Sequence, residues 1–289
     1  MSFSRLVRFV SANGKTYIGD AILPAGTYDA RLATKAKIIT GDILSDYTIT
    51  DEVQDIKKLL SPLSWDQIRN VRCLGLNYEK HAIESKMAKP KYPVLFFKPI
   101  TAISGPTDPI PVPAIAQIDN ETDYECELVI VIGKKASNVS ESDALNYVLG
   151  YTVGNDVSQR SWQIKKGGGQ WSLGKMFDGW APIGPALVST EVIKDPQTLK
   201  ISTKINGVTQ QSENTADMIF GVAKTVSFLS QGSTLLPGDL IFTGTPSGVG
   251  MGRKPQYWLK DGDVVEVGLE QVGTIVNKVV YEKGVKAKL

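Results

Sequence analysis

The order of apolar and polar positions divides the chain into short strand-like runs separated by turns. Residues 1–10 alternate apolar and polar side chains and then meet Asn13-Gly14, a pair suited to the left-handed backbone of a tight hairpin. This opening is read as a first strand, not as a removable targeting segment. Short mixed segments follow, with a weak helix expected over residues 51–60, and Ser61-Pro62-Leu63-Ser64 closes the module. From Val71 onward the runs are rich in β-branched residues and bounded by Gly, Pro and Asp. Strands are expected over residues 94–97, 127–132, 199–205, 240–243, 264–267 and 274–280. Two helices stand out: one capped by Ser140-Glu141-Ser142-Asp143 and running to about Leu149, the other over residues 216–231 with Ile219, Val222, Val226 and Leu229 on one face. Regular βαβ alternation is too sparse for a doubly wound parallel sheet. The pattern predicts a β-rich α+β fold, with a small N-terminal domain over 1–66 and a larger one over 67–289.

Composition narrows the partners. Among 289 residues, Lys+Arg number 32 against Asp+Glu 30, and the basic residues are scattered, so neither nucleic acid nor a membrane surface is expected to bind. No run approaches the roughly 18 apolar residues of a membrane span. Cys73 and Cys126 lie far apart with no CxxC or Cys/His pairing, which argues against a disulfide framework or a zinc site and fits a reducing compartment. A cytoplasmic location is expected, with a mitochondrial one left open.

The densest chemical signal is Asp119-Asn120-Glu121-Thr122-Asp123-Tyr124-Glu125-Cys126-Glu127, where every odd position is acidic and an apolar strand follows. In an extended chain these carboxylates would share a face and repel one another. Two readings are open: a solvated acidic loop, or carboxylates gathered around a hard divalent cation. Asp156 ends another apolar run and would supply a third oxygen donor. His81 is the sole histidine; on a helix it faces the same way as Glu84 at i+3, which makes the two either an acid/base pair or neighbours on a surface. Lys175 follows a glycine-rich loop, either as an ordinary loop lysine or as a cation matched to an anionic substrate. Residues 243–250, Thr-Gly-Thr-Pro-Ser-Gly-Val-Gly, can offer backbone N–H groups and the Thr245 hydroxyl to a carboxylate, and they lack the signatures of nucleotide phosphate loops.

Taken in order, these segments resemble the fumarylacetoacetate hydrolase family from Val71 to the end. The resemblance rests on Asn77-Tyr78 with His81 and Glu84, Phe97-Lys98-Pro99, Glu125-Cys126-Glu127 with its apolar strand, Asn155-Asp156 through Arg160, Lys175-Met176-Phe177-Asp178, and the 243–250 loop. It implies a mixed β-sandwich or roll behind a small N-terminal β domain, usually as a homodimer. It also implies Mg²⁺ or Mn²⁺ held by Glu125, Glu127 and Asp156, an acid/base dyad of His81 and Glu84, and substrate contacts from Arg160, Gln163, Lys175 and Thr245. Where the family usually has Ala before Arg-Asp, this chain reads Gln159-Arg160-Ser161.

Gln170 to Lys175 and Arg253-Lys254-Pro255 look most like the eukaryotic fumarylacetoacetate hydrolase domain-containing 2 branch, which implies oxaloacetate enol–keto tautomerisation. Acylpyruvate hydrolysis, oxaloacetate decarboxylation, and isomerisation or decarboxylation of a larger keto acid are the alternatives. Each passes through an enolate at C3 of a small 2-oxo acid, stabilised by a divalent metal acting as Lewis acid.

Overall fold

A computed structural model describes residues 2–284 and residue 287. The Asn13-Gly14 turn joins β1 (Arg5–Ser11) to β2 (Thr16–Ile22) as an antiparallel hairpin, with Gly14 at φ +78°. β3 (Lys35–Gly41) and β4 (Tyr47–Leu60) extend it. Residues 51–60 thus form strand, not the expected helix. Their Glu, Gln, Lys and Leu favour helix, but β1 on one side and β3 on the other complete a ladder that outweighs propensity.

Beyond residue 66 come β5 (Val71–Gly75), β6 (Val94–Lys98), β7 (Cys126–Ile132), β8 (Val148–Asn155), β9 (Ala181–Ser189), β10 (Lys200–Ile205), β11 (Val208–Asn214), β12 (Leu240–Phe242), β13 (Val264–Leu269) and β14 (Gly273–Tyr281). One large mixed sheet runs β2-β3-β4-β1-β9-β8-β7-β12-β5-β6. Its hydrogen bonding passes from β1 to β9, where Leu6 faces Leu187, and so crosses the boundary expected after residue 66. A second sheet, β11-β10-β13-β14 with the short strand Ile110–Val112, packs over β7, β8 and β9. The result is the β-rich α+β architecture expected.

β7 explains the core. Leu128, Ile130 and Ile132 join the hydrophobic cluster between the two sheets, while Val129 and Val131 join a second cluster on the opposite face with Cys73, Phe96 and Phe242. A strand covered on both faces reads as an unbroken apolar run. Because side chains alternate, Glu127 opens the face of Val129 and Val131.

Both expected helices are shorter than their patterns suggest. Ser140 does cap a turn, its hydroxyl accepting the Asp143 N–H at 3.2 Å, but only the single 3₁₀ turn Ala144–Tyr147 follows before β-branched Val148 enters β8. The 216–231 pattern breaks into the 3₁₀ turn Thr215–Asp217 and a helix at Val222–Leu229. Between them, Asn77 holds the chain in a non-helical path. Its main-chain carbonyl accepts the Ile219 N–H, its side-chain oxygen accepts the Phe220 N–H, and its amide donates to the Phe220 and Thr243 carbonyls. No helix of the described residues is long and apolar enough to cross a membrane.

Asn77 is fully buried and roots helix α1 (Glu79–Glu84) to the end of β12. Asn77→Ala strands several buried backbone groups, and chemical denaturation is expected to show a loss of about 2–4 kcal/mol.

Candidate active site

Strand register brings the acidic residues together. Cys126 at the start of β7 pairs with Asn155 at the end of β8, and Val129 pairs with Phe242 at the end of β12. Glu125 and Glu127 therefore stand beside Asp156, which follows β8 directly, and beside the loop that leaves β12. One oxygen from each of the three carboxylates lies within 4.8 Å of the others, and all three residues are buried. The two outer acids of the run do not join them: Asp119 pairs with Lys166 at 2.6 Å and Glu121 with Lys165 at 3.0 Å. The shared acidic face expected from strict alternation is thus broken, because strand structure covers only Thr122–Asp123 and then resumes at Cys126.

Three buried cations answer this charge. Lys98 Nζ donates to Asp156 Oδ1 at 2.5 Å, Lys175 Nζ bridges Glu125 Oε2 and Asp156 Oδ2 at 2.7 Å each, and Arg160 lies 2.6 Å from Glu125 Oε1. Burial opposes ionisation of Glu125, but Arg160 and Lys175 outweigh it and hold its carboxyl below the usual range. Burial likewise opposes the charge on Lys175, and Asp156 and Glu125 outweigh it, raising its pKa.

Glu127 is different. Its Oε2 accepts the Gly244 N–H at 2.7 Å, and no cation of the chain pairs with it among the described residues. Burial, then the charges of Asp156 and Glu125, push its carboxyl well above the usual range. An all-oxygen donor set with one unneutralised buried carboxylate fits a hard divalent cation of the Mg²⁺ or Mn²⁺ type, and no nitrogen or sulfur donor joins the group to favour zinc.

Helix α1 places His81 and Glu84 one turn apart, with Nδ1 3.0 Å from Oε2. His81 is buried, so the pair is not a surface contact. Glu84 also accepts the Gly248 N–H, at 2.9 and 3.2 Å from its two oxygens. A cavity of about 160 Å³ is lined in part by His81, Glu125, Arg160, Gln163, Lys175 and Thr245. Gln163 comes from a wide π-helical turn, Ser161–Lys166, and its Oε1 accepts from Arg160 Nη1 at 2.8 Å. Thr245 Oγ1 accepts from Gln211 Nε2 at 2.8 Å. Leu74, Leu76, Met87, Phe96 and Trp171 complete the lining, with Lys175 Nζ 5.0 Å from the centre of the Phe96 ring. A wider cleft of about 560 Å³ between Arg8, Trp65 and Asp108 lies apart from these groups and gathers no comparable set of acids and bases.

The model for the C-terminal domain of fumarylacetoacetate hydrolase matches residues 70–280, and so spans every one of these site residues. The chain belongs to the fumarylacetoacetate hydrolase family. An oxaloacetate tautomerase of Xenopus laevis, described as mitochondrial, is 46% identical over 222 residues, covering 77% of this chain and 68% of that protein. A caffeoylpyruvate hydrolase of Neonothopanus nambi is 43% identical over 295 residues, covering 98% of this chain and 95% of that one. Among solved structures, 2-hydroxyhepta-2,4-diene-1,7-dioate isomerase from Mycobacterium marinum superposes with a TM-score of 0.80 at 36% identity, covering 98% of this chain and 100% of that chain. Members of the fumarylacetoacetate hydrolase family are thus tautomerases, isomerases and hydrolases, and this chain is an enzyme of that kind.

Three features of this fumarylacetoacetate hydrolase fold escaped sequence reasoning. Lys98 was visible only as part of Phe97-Lys98-Pro99, with no role. Asp123 was one of five alternating acids, yet it alone of the outer three turns inward, to Arg160. The loop after β12 does offer N–H groups to carboxylates, but to the protein's own.

The isolated charge on Glu127 has a measurable consequence. A carboxyl whose folded pKa is raised contributes stability that is present below its unfolded pKa and is lost as pH rises toward the folded value. In chelator, the wild type should therefore lose melting temperature relative to Glu127→Gln as pH rises from about 4 toward 8, the ordinary carboxylate range and above. Mg²⁺ should restore the wild type and leave Glu127→Gln unmoved.

Proposed function

We propose that the protein is an Mg²⁺-dependent oxaloacetate enol–keto tautomerase. The observation that carries this reading is a small cavity lined by His81, whose imidazole pairs with Glu84, together with Glu125, Arg160 and Lys175 of the buried cluster of acids and cations. Glu125, Glu127 and Asp156 would hold Mg²⁺, which when bound supplies a Lewis acid for the 2-oxo group. Arg160, Gln163 and the Thr245 hydroxyl bind the substrate carboxylate, and Lys175, kept charged by its acidic neighbours, donates to the 2-oxo oxygen as negative charge develops there. Glu84 engages Nδ1 of His81 and leaves Nε2 free to take the C3 proton, while the C–H electron pair moves toward the 2-oxo oxygen to form the enolate. A proton from solvent then goes to the enolate oxygen to give the enol; in the reverse direction the enol O–H proton leaves and the His81 imidazolium returns its proton to C3, so one base at C3 serves both directions. Glu84 stabilises the imidazolium in between.

A second reading, acylpyruvate hydrolysis, is favoured by the apolar part of the cavity lining. Leu74, Leu76, Met87, Phe96 and Trp171 offer contacts to the apolar acyl group of such a substrate. One relative that matches this chain almost end to end is named a caffeoylpyruvate hydrolase. In this reading the His81–Glu84 pair activates water against the distal carbonyl. By family analogy we also propose a homodimer, which sedimentation would test.

Oxaloacetate, acetylpyruvate and fumarylpyruvate with Mg²⁺, followed separately by enol absorbance, pyruvate release and CO₂, distinguish these chemistries. The expected result is accelerated loss of enol absorbance from oxaloacetate, without CO₂, and a fall of about 10²-fold or more in His81→Ala. Faster release of pyruvate from the acylpyruvates would decide for hydrolysis, and CO₂ for decarboxylation.

A further inference from the structure

We propose that Asp123 is a positioning residue that couples Arg160 to the loop seating the His81–Glu84 pair, so that substrate-carboxylate binding and proton transfer are aligned by one buried side chain. The inference rests on the roles proposed above for Arg160 and the dyad, and applies to tautomerisation and hydrolysis alike.

Asp123 is fully buried and lies two residues before the first acid of the cluster. Its Oδ2 accepts from Arg160 Nε at 2.8 Å and lies 2.7 Å from Arg160 Nη2. The same nitrogen is 2.6 Å from Glu125, so the guanidinium is held between two carboxylates and its direction depends on both. Asp123 also reaches the loop that brings Met251 to the cavity lining. Its Oδ1 accepts the Gly250 N–H at 2.7 Å and its Oδ2 the Met251 N–H at 3.0 Å.

Those two amides belong to the loop whose Gly248 N–H holds Glu84. The loop has little room to shift independently. The Tyr257 N–H donates to the Gly250 carbonyl at 3.0 Å, and a Cβ on Gly250 would lie 1.9 Å from the Tyr257 carbonyl oxygen. At Gly252 a Cβ would lie 2.6 Å from Glu84 Cδ, so the carboxylate packs where a side chain is missing. Hydrogen bonds joined by the backbone of residues 248–250 therefore link Arg160 through Asp123 and Glu84 to His81 Nδ1. Every donor on Asp123 is an N–H, and only a carboxylate accepts from all of them. Asparagine has the same shape but replaces one oxygen with a donor, which must oppose either the guanidinium or a backbone N–H.

The test compares Asp123→Asn, Gly252→Ala, Glu121→Gln and His81→Ala with wild type, using oxaloacetate or acetylpyruvate with Mg²⁺ and a melting curve for each. Asp123→Asn is expected to lower kcat by about 10–100-fold and to raise KM several-fold, since a displacement on the order of 1 Å at both ends disturbs binding and chemistry together. Gly252→Ala disturbs Glu84 alone and should lower kcat while leaving KM near wild type. Glu121→Gln, whose carboxylate pairs with surface Lys165, should match wild type. If His81→Ala is inactive while Asp123→Asn and Gly252→Ala keep wild-type kcat and KM, the coupling is overturned and the dyad stands. If His81→Ala keeps its activity, the dyad assignment fails and the coupling with it. Should Asp123→Asn melt too low to assay, Gly252→Ala decides: a kcat loss at constant KM supports the path, and an unchanged kcat overturns it.

Discussion

Glu127 lies sealed from water beside Glu125 and Asp156, and mutual repulsion in surroundings that screen charge poorly is what the rest of the site is arranged to relieve. Lys98, Arg160 and Lys175 face Asp123, Glu125, Glu127 and Asp156, which leaves one acid in excess. Among the described residues, the Gly244 N–H is the one hydrogen-bond donor to the Glu127 carboxylate. It depends on Gly244 at φ +90°, where a Cβ would lie 2.7 Å from Asn77 Cβ, so the turn needs glycine both for its backbone angle and for room. A divalent cation would turn that excess into a single net positive charge, which suits a site for an anionic oxo acid.

The loop after β12 extends this logic to the His81–Glu84 pair. Its N–H groups donate in turn to Glu127, to Glu84 and to Asp123, which sets three carboxylates against one stretch of backbone. Asn77 fixes both the end of β12 and the approach to α1, so the helix that carries His81 is rooted beside the cation site instead of swinging freely. In the proposed mechanism, proton transfer and substrate anchoring thereby share a frame.

Much of this was legible in the chain because the chemistry sits at the ends of strands with strong patterns. β7 is an unbroken apolar run, and the acids at its start could be placed next to it without any structure. The His81–Glu84 spacing was equally readable, since α1 is the local feature the sequence implies. Residues 51–60 and 140–149 went astray for a common reason: helix-favouring or capping residues were judged locally, whereas pairing with β1 and β3, or entry into β8, decided their form. Lys98 could not be placed because its partner Asp156 lies 58 residues away, and Asp123 could not be told from Asp119 and Glu121 without the fold that turns only one of them toward Arg160.

The central claim is that the carboxylates of Glu125, Glu127 and Asp156 are spaced and buried to hold one divalent cation. Anomalous diffraction from crystals grown with Mn²⁺ tests it directly. The account predicts a single strong peak ringed by oxygens of these three residues, lost in Glu127→Gln. Absence of a peak there under saturating Mn²⁺, or a peak held by other residues, would contradict it.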